Sequence, residues 1–206
     1  MNSGPEHLVR HLQERGYHPR SNEHGKFLCA VVLEDLLDSC PRIAEHARQG
    51  KLVYDINRKI IVGGSEWNID LILGPPPGVV IVPPHTRIVQ APPATIRIAI
   101  EAKTVMTEHG KARRNRQRDL DSFHQFVHRY DSDTIAAALT VVNIATRFGG
   151  DVSGLEANGA ILVDHDNIEN AQTSLVTGQP APQVGDPIHY DSFLRRICDR
   201  YNQRWS

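Results

Sequence analysis

The chain has 206 residues, enough for one domain with a full hydrophobic core. Hydrophobic residues make up 40% and charged residues 23%, which excludes disordered, collagenous and fibrous classes. Lys and Arg total 23 against 24 Asp and Glu, so net charge does not steer the whole molecule toward a polyanion, and any nucleic-acid contact must come from a local patch.

The longest apolar run, beginning at Phe27, falls far short of the roughly 20 residues that span a bilayer, and residues 1–16 hold no apolar signal core. The expectation is a cytoplasmic protein with no membrane partner. Cys29, Cys40 and Cys198 are odd in number and scattered, a pattern that suits reduced thiols better than a disulfide frame or a four-ligand zinc site.

In chain order, Phe27–Leu37 (FLCAVVLEDLL) is apolar nearly all round and lacks Gly and Pro, which predicts a buried helix that Pro41 ends. Residues Lys51–Val62 are mixed and β-branched, predicting a strand before a Gly63-Gly64 turn. A second strand follows in SEWNIDLILG, with Ile69, Leu71 and Leu73 on one face and Asn68, Asp70 and Ile72 on the other. Gly74–Pro93 holds seven of the 13 prolines, so it reads as a long connection with room for a short hairpin rather than as central sheet. In TIRIAIEAKTV the alternation is clean: Ile96, Ile98 and Ile100 face one way, Arg97, Ala99, Glu101 and Lys103 the other.

Helical periodicity then takes over from Lys111 to Tyr130, where Leu120, Phe123, Val127 and Tyr130 form an apolar stripe. Residues 138–145 (ALTVVNIA) and 160–164 (AILVD) read as buried strands, and Tyr190–Trp205 as an amphipathic helix carrying Phe193, Leu194, Ile197, Tyr201 and Trp205. That helix serves either as an interface or as packing for its own core. The fold class expected is α/β, a single domain with a mixed central sheet flanked by helices.

The third strand raises the chemical question. Glu101 and Lys103, at i and i+2, share a strand face, and Asp70 occupies an equivalent place on the preceding strand. If the two strands pair, two carboxylates and one lysine converge. Like-charged neighbours are most favourably kept ionised by a cation between them. Magnesium suits carboxylates, water and phosphate oxygens, whereas zinc would want His or Cys ligands that this region lacks. A lysine beside the metal can orient water or stabilise developing negative charge, which points to phosphodiester hydrolysis.

Asp70, followed 31 positions later by Glu101-Ala102-Lys103 after an apolar run, resembles the D…(D/E)-x-K signature of the PD-(D/E)XK nuclease superfamily, which includes many type II restriction endonucleases. Ile69 stands where proline often precedes the aspartate, and the Pro-rich connection is longer than the family's shortest. The family's order of helix, three strands, helix and strand matches this chain from about Phe27 to Ala145, somewhat over half of it. The resemblance implies a restriction endonuclease-like αβββαβ core over about 27–145, a C-terminal strand and helix extension over 146–206, and one nuclease domain over 1–206. It implies Asp70 and Glu101 as metal-binding acids, the Ala102 carbonyl as a further ligand, and Lys103 as catalytic base or transition-state stabiliser. Magnesium is the implied cofactor, with manganese as a substitute and no nucleotide cofactor. Members often add a glutamate from the first helix, and Glu34, on the helical line Phe27, Ala30/Val31, Glu34 and Leu37, is the candidate, expected to face the interior.

Five basic residues, Lys111, Arg113, Arg114, Arg116 and Arg118, open the next helix. They read either as a solvated face or as phosphate contacts on DNA beside the metal site. His85, Arg87 and Gln90 of the Pro-rich segment are the candidates for base readout. His124 and His128 have the spacing of a helical metal pair but no third ligand, and read as surface or packing residues. No Walker loop, nucleophile elbow or dinucleotide glycine pattern is present. The function expected is a magnesium-dependent endonuclease of double-stranded DNA of the type II restriction kind, working as a homodimer. The alternatives are a structure-specific repair or junction nuclease of the same fold and an inactive nuclease-like DNA-binding protein.

Overall fold

The computed structural model describes residues 4–15, 23–105, 109–142 and 189–205. Its elements are helix α1 (Gly4–Arg15), α2 (Glu23–Ser39), α3 (Pro41–Arg48), strands β1 (Val53–Val62), β2 (Ser65–Gly74), β3 (Val89–Gln90) and β4 (Ile98–Val105), helix α4 (His109–Tyr130), strand β5 (Ile135–Val142) and helix α5 (Tyr190–Arg204). The expected strand at 160–164 and the end of that at 138–145 lie outside the described residues. Five strands form one mixed sheet in the order β3-β1-β2-β4-β5. β1 pairs antiparallel with β2 and parallel with β3, and β2 pairs antiparallel with β4.

Local chemistry sets the element ends. Pro41 opens α3, where its fixed φ is already helical and its missing N–H costs nothing. Val62 pairs with Ser65 around Gly63 and Gly64, whose φ values of 54° and 81° make the two-residue turn that a β-hairpin favours and that side chains resist. The Pro-rich connection contributes only the two residues of β3, since proline cannot donate to a ladder. No hairpin forms at Val79–Val82, and Val79 and Ile81 are exposed.

The chain divides into two compact units, one of residues 1–32, 102–118 and 139–193, the other of 33–101, 119–138 and 194–206. In the first, Leu8 is buried and His11 stacks on Phe27 with ring centroids 4.0 Å apart, while a His11 ring nitrogen lies 3.3 Å from His24. In the second, the α4 stripe covers the sheet: Phe123 and Val127 pack with Ile69, Ile72, Ile96 and Ala99, and Trp67 and Tyr130 close the edges.

The cysteines correct the sequence reading. Cys40 and Cys198 form a disulfide, their Cα atoms 5.4 Å apart across 158 residues of sequence, and Cys29 is buried outside that bond. The pairing is nonlocal, so spacing gave no sign of it, and the cysteines no longer argue for a reducing compartment. The disulfide also settles α5: Leu194, Ile197 and Tyr201 are buried in the chain's own core, so this face is packing and not an open interface. Among the described residues no helix is long and apolar enough to cross a membrane.

Phe123 is 1% exposed in the centre of the α4 contact. Phe123→Ala is expected to cost about 3–5 kcal/mol. Urea unfolding should show a lowered midpoint with an unchanged slope, and a change below about 1 kcal/mol would mean that α4 does not anchor the sheet.

Candidate metal centre

The β2–β4 ladder pairs Leu71 with Ile100, Ile72 with Ala99 and Leu73 with Ile98. Continued by one step, the same register sets Asp70 opposite Glu101. Directly opposed residues of antiparallel strands share a sheet face with their Cβ atoms roughly 4.5–5.5 Å apart. Asp70 is half-buried and Glu101 is 1% exposed, and each adjoins Leu71–Ile100, the last pair of the ladder, so an extension of that register by one step would bring the two carboxylates side by side. Lys103, half-buried, lies two residues beyond Glu101 and so on the same face of β4; Ala102, also half-buried, lies between them.

Asp70 sits at an irregularity that alternation alone does not foresee. The β1–β2 ladder pairs Ile56 with Leu71 and Arg58 with Ile69, and between these pairs Asn57 faces Asp70 with φ 53°. A left-handed residue inside a strand interrupts the pleat. Ile69 and Ile72, of opposite parity, therefore lie in the same α4-facing cluster, where an unbroken strand would put them on opposite faces. The expected grouping of Ile69 with Leu71 and Leu73 is corrected accordingly. Asn is one of the few residues other than Gly that take this conformation readily.

Glu34 departs from expectation. Its side chain is 54% exposed, and it accepts from Arg87 at 2.5 Å, while the same guanidinium donates to Asp38, also at 2.5 Å. The inward acid of α2 is its neighbour Asp35, 5% exposed. The sequence did hold the signal: Lys26, Ala30, Glu34 and Asp38 recur every four residues and are all exposed, so this is the solvent stripe of α2.

Arg87, a base-readout candidate, pairs with both carboxylates and so ties the Pro-rich segment to α2. His85 and Gln90 are exposed, His85 with φ 68°. Of the five basic residues that open α4, Arg118 is exposed, 3.4 Å from the side-chain oxygen of Asn115. The side chains of Lys111, Arg113, Arg114 and Arg116 lie outside the described residues, though their backbone is helical. His124 and His128 are exposed, with ring centroids 4.2 Å apart, and burial together with His124 holds His128 below the ordinary histidine range. Among the described residues no group of three or more His, Cys, Asp or Glu is placed to hold a metal ion.

In comparisons with family models, with curated proteins and with solved structures, nothing matches this chain. The functional reading therefore stands on the residues themselves.

The geometry at Asn57 generates a test. Asn57→Gly should preserve the strand, whereas Asn57→Val should cost about 1–2 kcal/mol, because a β-branched side chain resists positive φ. Thermal melts compare the two variants, and equal melting temperatures would show that the irregularity opposite Asp70 is not needed.

Proposed function

We propose that this protein is a magnesium-dependent endonuclease of double-stranded DNA, with a PD-(D/E)XK-like core and of the type II restriction kind. The observation that supports the reading is the β2–β4 register, whose last pair, Leu71 with Ile100, adjoins Asp70 and the buried Glu101, with Lys103 two residues further along β4. The element order supports it. With α3 and the two-residue β3 taken as insertions, α2, β1, β2, β4, α4 and β5 run helix, three strands, helix, strand.

The donor set fits magnesium. Two carboxylates on one sheet face suit a hard cation that keeps several waters and shares phosphate oxygens, and that does not need an all-protein cage. Asp70 and Glu101 would hold the ion, with the Ala102 carbonyl as a further ligand. Magnesium, when bound, lowers the pKa of water and neutralises charge on the phosphate. Burial of Glu101 serves this role, because an ionised carboxylate removed from water gains more from a cation than an exposed one does. Lys103, an ammonium on the same strand face, orients the attacking water or offsets the negative charge that develops on the phosphate. The basic start of α4, four residues past the end of β4, supplies charge for phosphates along the strand being cut. One site per chain cuts both strands of a duplex most simply from a symmetric homodimer.

Plasmid DNA incubated with the purified protein tests the proposal. Cleavage is expected with magnesium and none with chelator, and discrete fragments would indicate a sequence-specific enzyme, whereas a smear would indicate a structure-directed or non-specific one. Asp70→Asn and Glu101→Gln keep side-chain volume while removing charge, and each should abolish cleavage. Lys103→Ala should lower turnover by about 10²-fold or more with magnesium affinity retained. Cleavage by Asp70→Asn at the wild-type rate would disprove the site, and absence of cleavage by the wild-type protein on duplex substrates with magnesium or manganese would disprove the activity.

A further inference from the structure

A concave site lies wholly within the unit formed by residues 33–101, 119–138 and 194–206. It is a cleft of about 840 Å³ between the end of α3, the Pro75–Val80 arm, Arg97 just ahead of β4, and the end of α5. Its volume falls in the range of small-molecule sites. Four basic side chains line it, His46, Lys51, Arg97 and Arg204, and no carboxylate does. Among the described residues, neither Lys51, Arg97 nor Arg204 has a carboxylate partner. Three permanent cations facing one space without anions repel each other, and an anion relieves that repulsion.

The basic groups are held in place. Tyr201, fully buried, lies with its hydroxyl 2.8 Å from Nδ1 of His46, and it accepts from Arg97 Nη1 at 3.2 Å. The Arg97 guanidinium also lies over the Trp205 ring, 5.3 Å from its centroid. Arg204 donates to the Asp133 carbonyl. Burial, followed by the nearby charges of Arg97, Arg42 and Lys51, holds His46 below its ordinary range against the weaker pull of Glu45, as expected where the local potential is positive. Glu45 in turn accepts from the Gln49 side chain.

The rest of the lining is largely apolar and stiff. Pro75, Pro76 and Pro77 fix the arm, and Val79 and Val80 continue it. Gly50, with φ 67°, lets the arm pass so close that an added Cβ would overlap the Val80 carbonyl. Cations beside an indole and a proline-rich arm suit a ligand that is a dianion at one end and flat and apolar at the other.

We propose that this cleft binds a nucleoside monophosphate, its phosphate on Lys51, Arg97 and Arg204 and its base along the Trp205 and proline side, either as a free nucleotide or as the 5′-phosphorylated end of a nucleic acid. The site is separate from the two carboxylates: Arg97 precedes Glu101 by four residues, about 13 Å of extended chain. It does not depend on the nuclease reading.

Calorimetric titration of the full chain in chelator tests the proposal, using the four common nucleoside monophosphates, adenosine, inorganic phosphate, and one oligonucleotide with and without a 5′-phosphate. At least one monophosphate should bind at a single saturable site, with adenosine and phosphate each tenfold weaker or more. Lys51→Glu and Arg204→Glu should each weaken that binding at least tenfold with unaltered far-UV circular dichroism, and Asp70→Asn should leave it unchanged. A 5′-phosphorylated oligonucleotide that binds more tightly than the monophosphates, with the same sensitivity to Lys51→Glu, identifies a nucleic-acid end as the source. Weaker or Lys51-independent oligonucleotide binding identifies the free nucleotide. The proposal is overturned if neither monophosphates nor the phosphorylated oligonucleotide bind, if inorganic phosphate binds as tightly as a monophosphate, or if both charge reversals leave affinity intact.

Discussion

Antiparallel pairing of β2 with β4 is the constraint on which the rest depends. Because side chains alternate with a period of two, the register that opposes Ile72 to Ala99 also decides to which face Glu101 belongs. A slip of one residue would separate the carboxylates and turn Glu101 from the interior. The register is held from both sides: Ile72 and Ala99 pack beneath Phe123 and Val127 of α4, while Leu71, Leu73, Ile98 and Ile100 are buried on the reverse face. Gly74, at the end of β2, approaches the Thr95 carbonyl so closely that a Cβ would overlap it, which fixes the distance between the strands where the ladder begins.

The same sheet serves two chemically opposed places in the second unit. Asp70 and Glu101 make one region acidic, and Arg97, a few residues earlier along the path into β4, opens a region that is basic. The disulfide between Cys40 and Cys198 fastens α5 beside α3, and so brings Tyr201, Arg204 and Trp205 to the cleft that His46 and Lys51 begin. Removing the cross-link would act first on the α5 side of the basic cleft, since the Arg97 N–H, bonded to the Leu73 carbonyl, is held by the sheet itself.

What was legible in the sequence follows from how local each signal is. The Gly63-Gly64 turn, the alternation in TIRIAIEAKTV and the Leu120/Phe123/Val127 stripe are encoded within a few residues, and β1, β2, β4 and α4 form where those signals place them. Helix α1 carries only Leu8, Val9 and Leu12 among polar neighbours, too weak a stripe to stand out. On α2 the apolar positions are so numerous that the inward phase slipped by one residue, exchanging Asp35 for Glu34; the four-residue recurrence from Lys26 to Asp38 resolves it. The left-handed Asn57, the Cys40–Cys198 bond and the cleft built from residues 46, 51, 97 and 204 depend on chain segments far apart in sequence, and no local pattern announces them.

The central claim is that Asp70 and Glu101 form one divalent-cation site, and thermal melting across a magnesium titration tests it independently of any substrate. A ligand that binds only the folded state stabilises it by an amount growing with the logarithm of its concentration, about 2.7 kcal/mol at a hundredfold excess over Kd. The account predicts that the wild-type melting temperature rises in this way, and that Asp70→Asn, folded and cooperative, does not respond. A wild-type protein indifferent to magnesium and manganese, or an Asp70→Asn variant stabilised as much as the wild type, would contradict it.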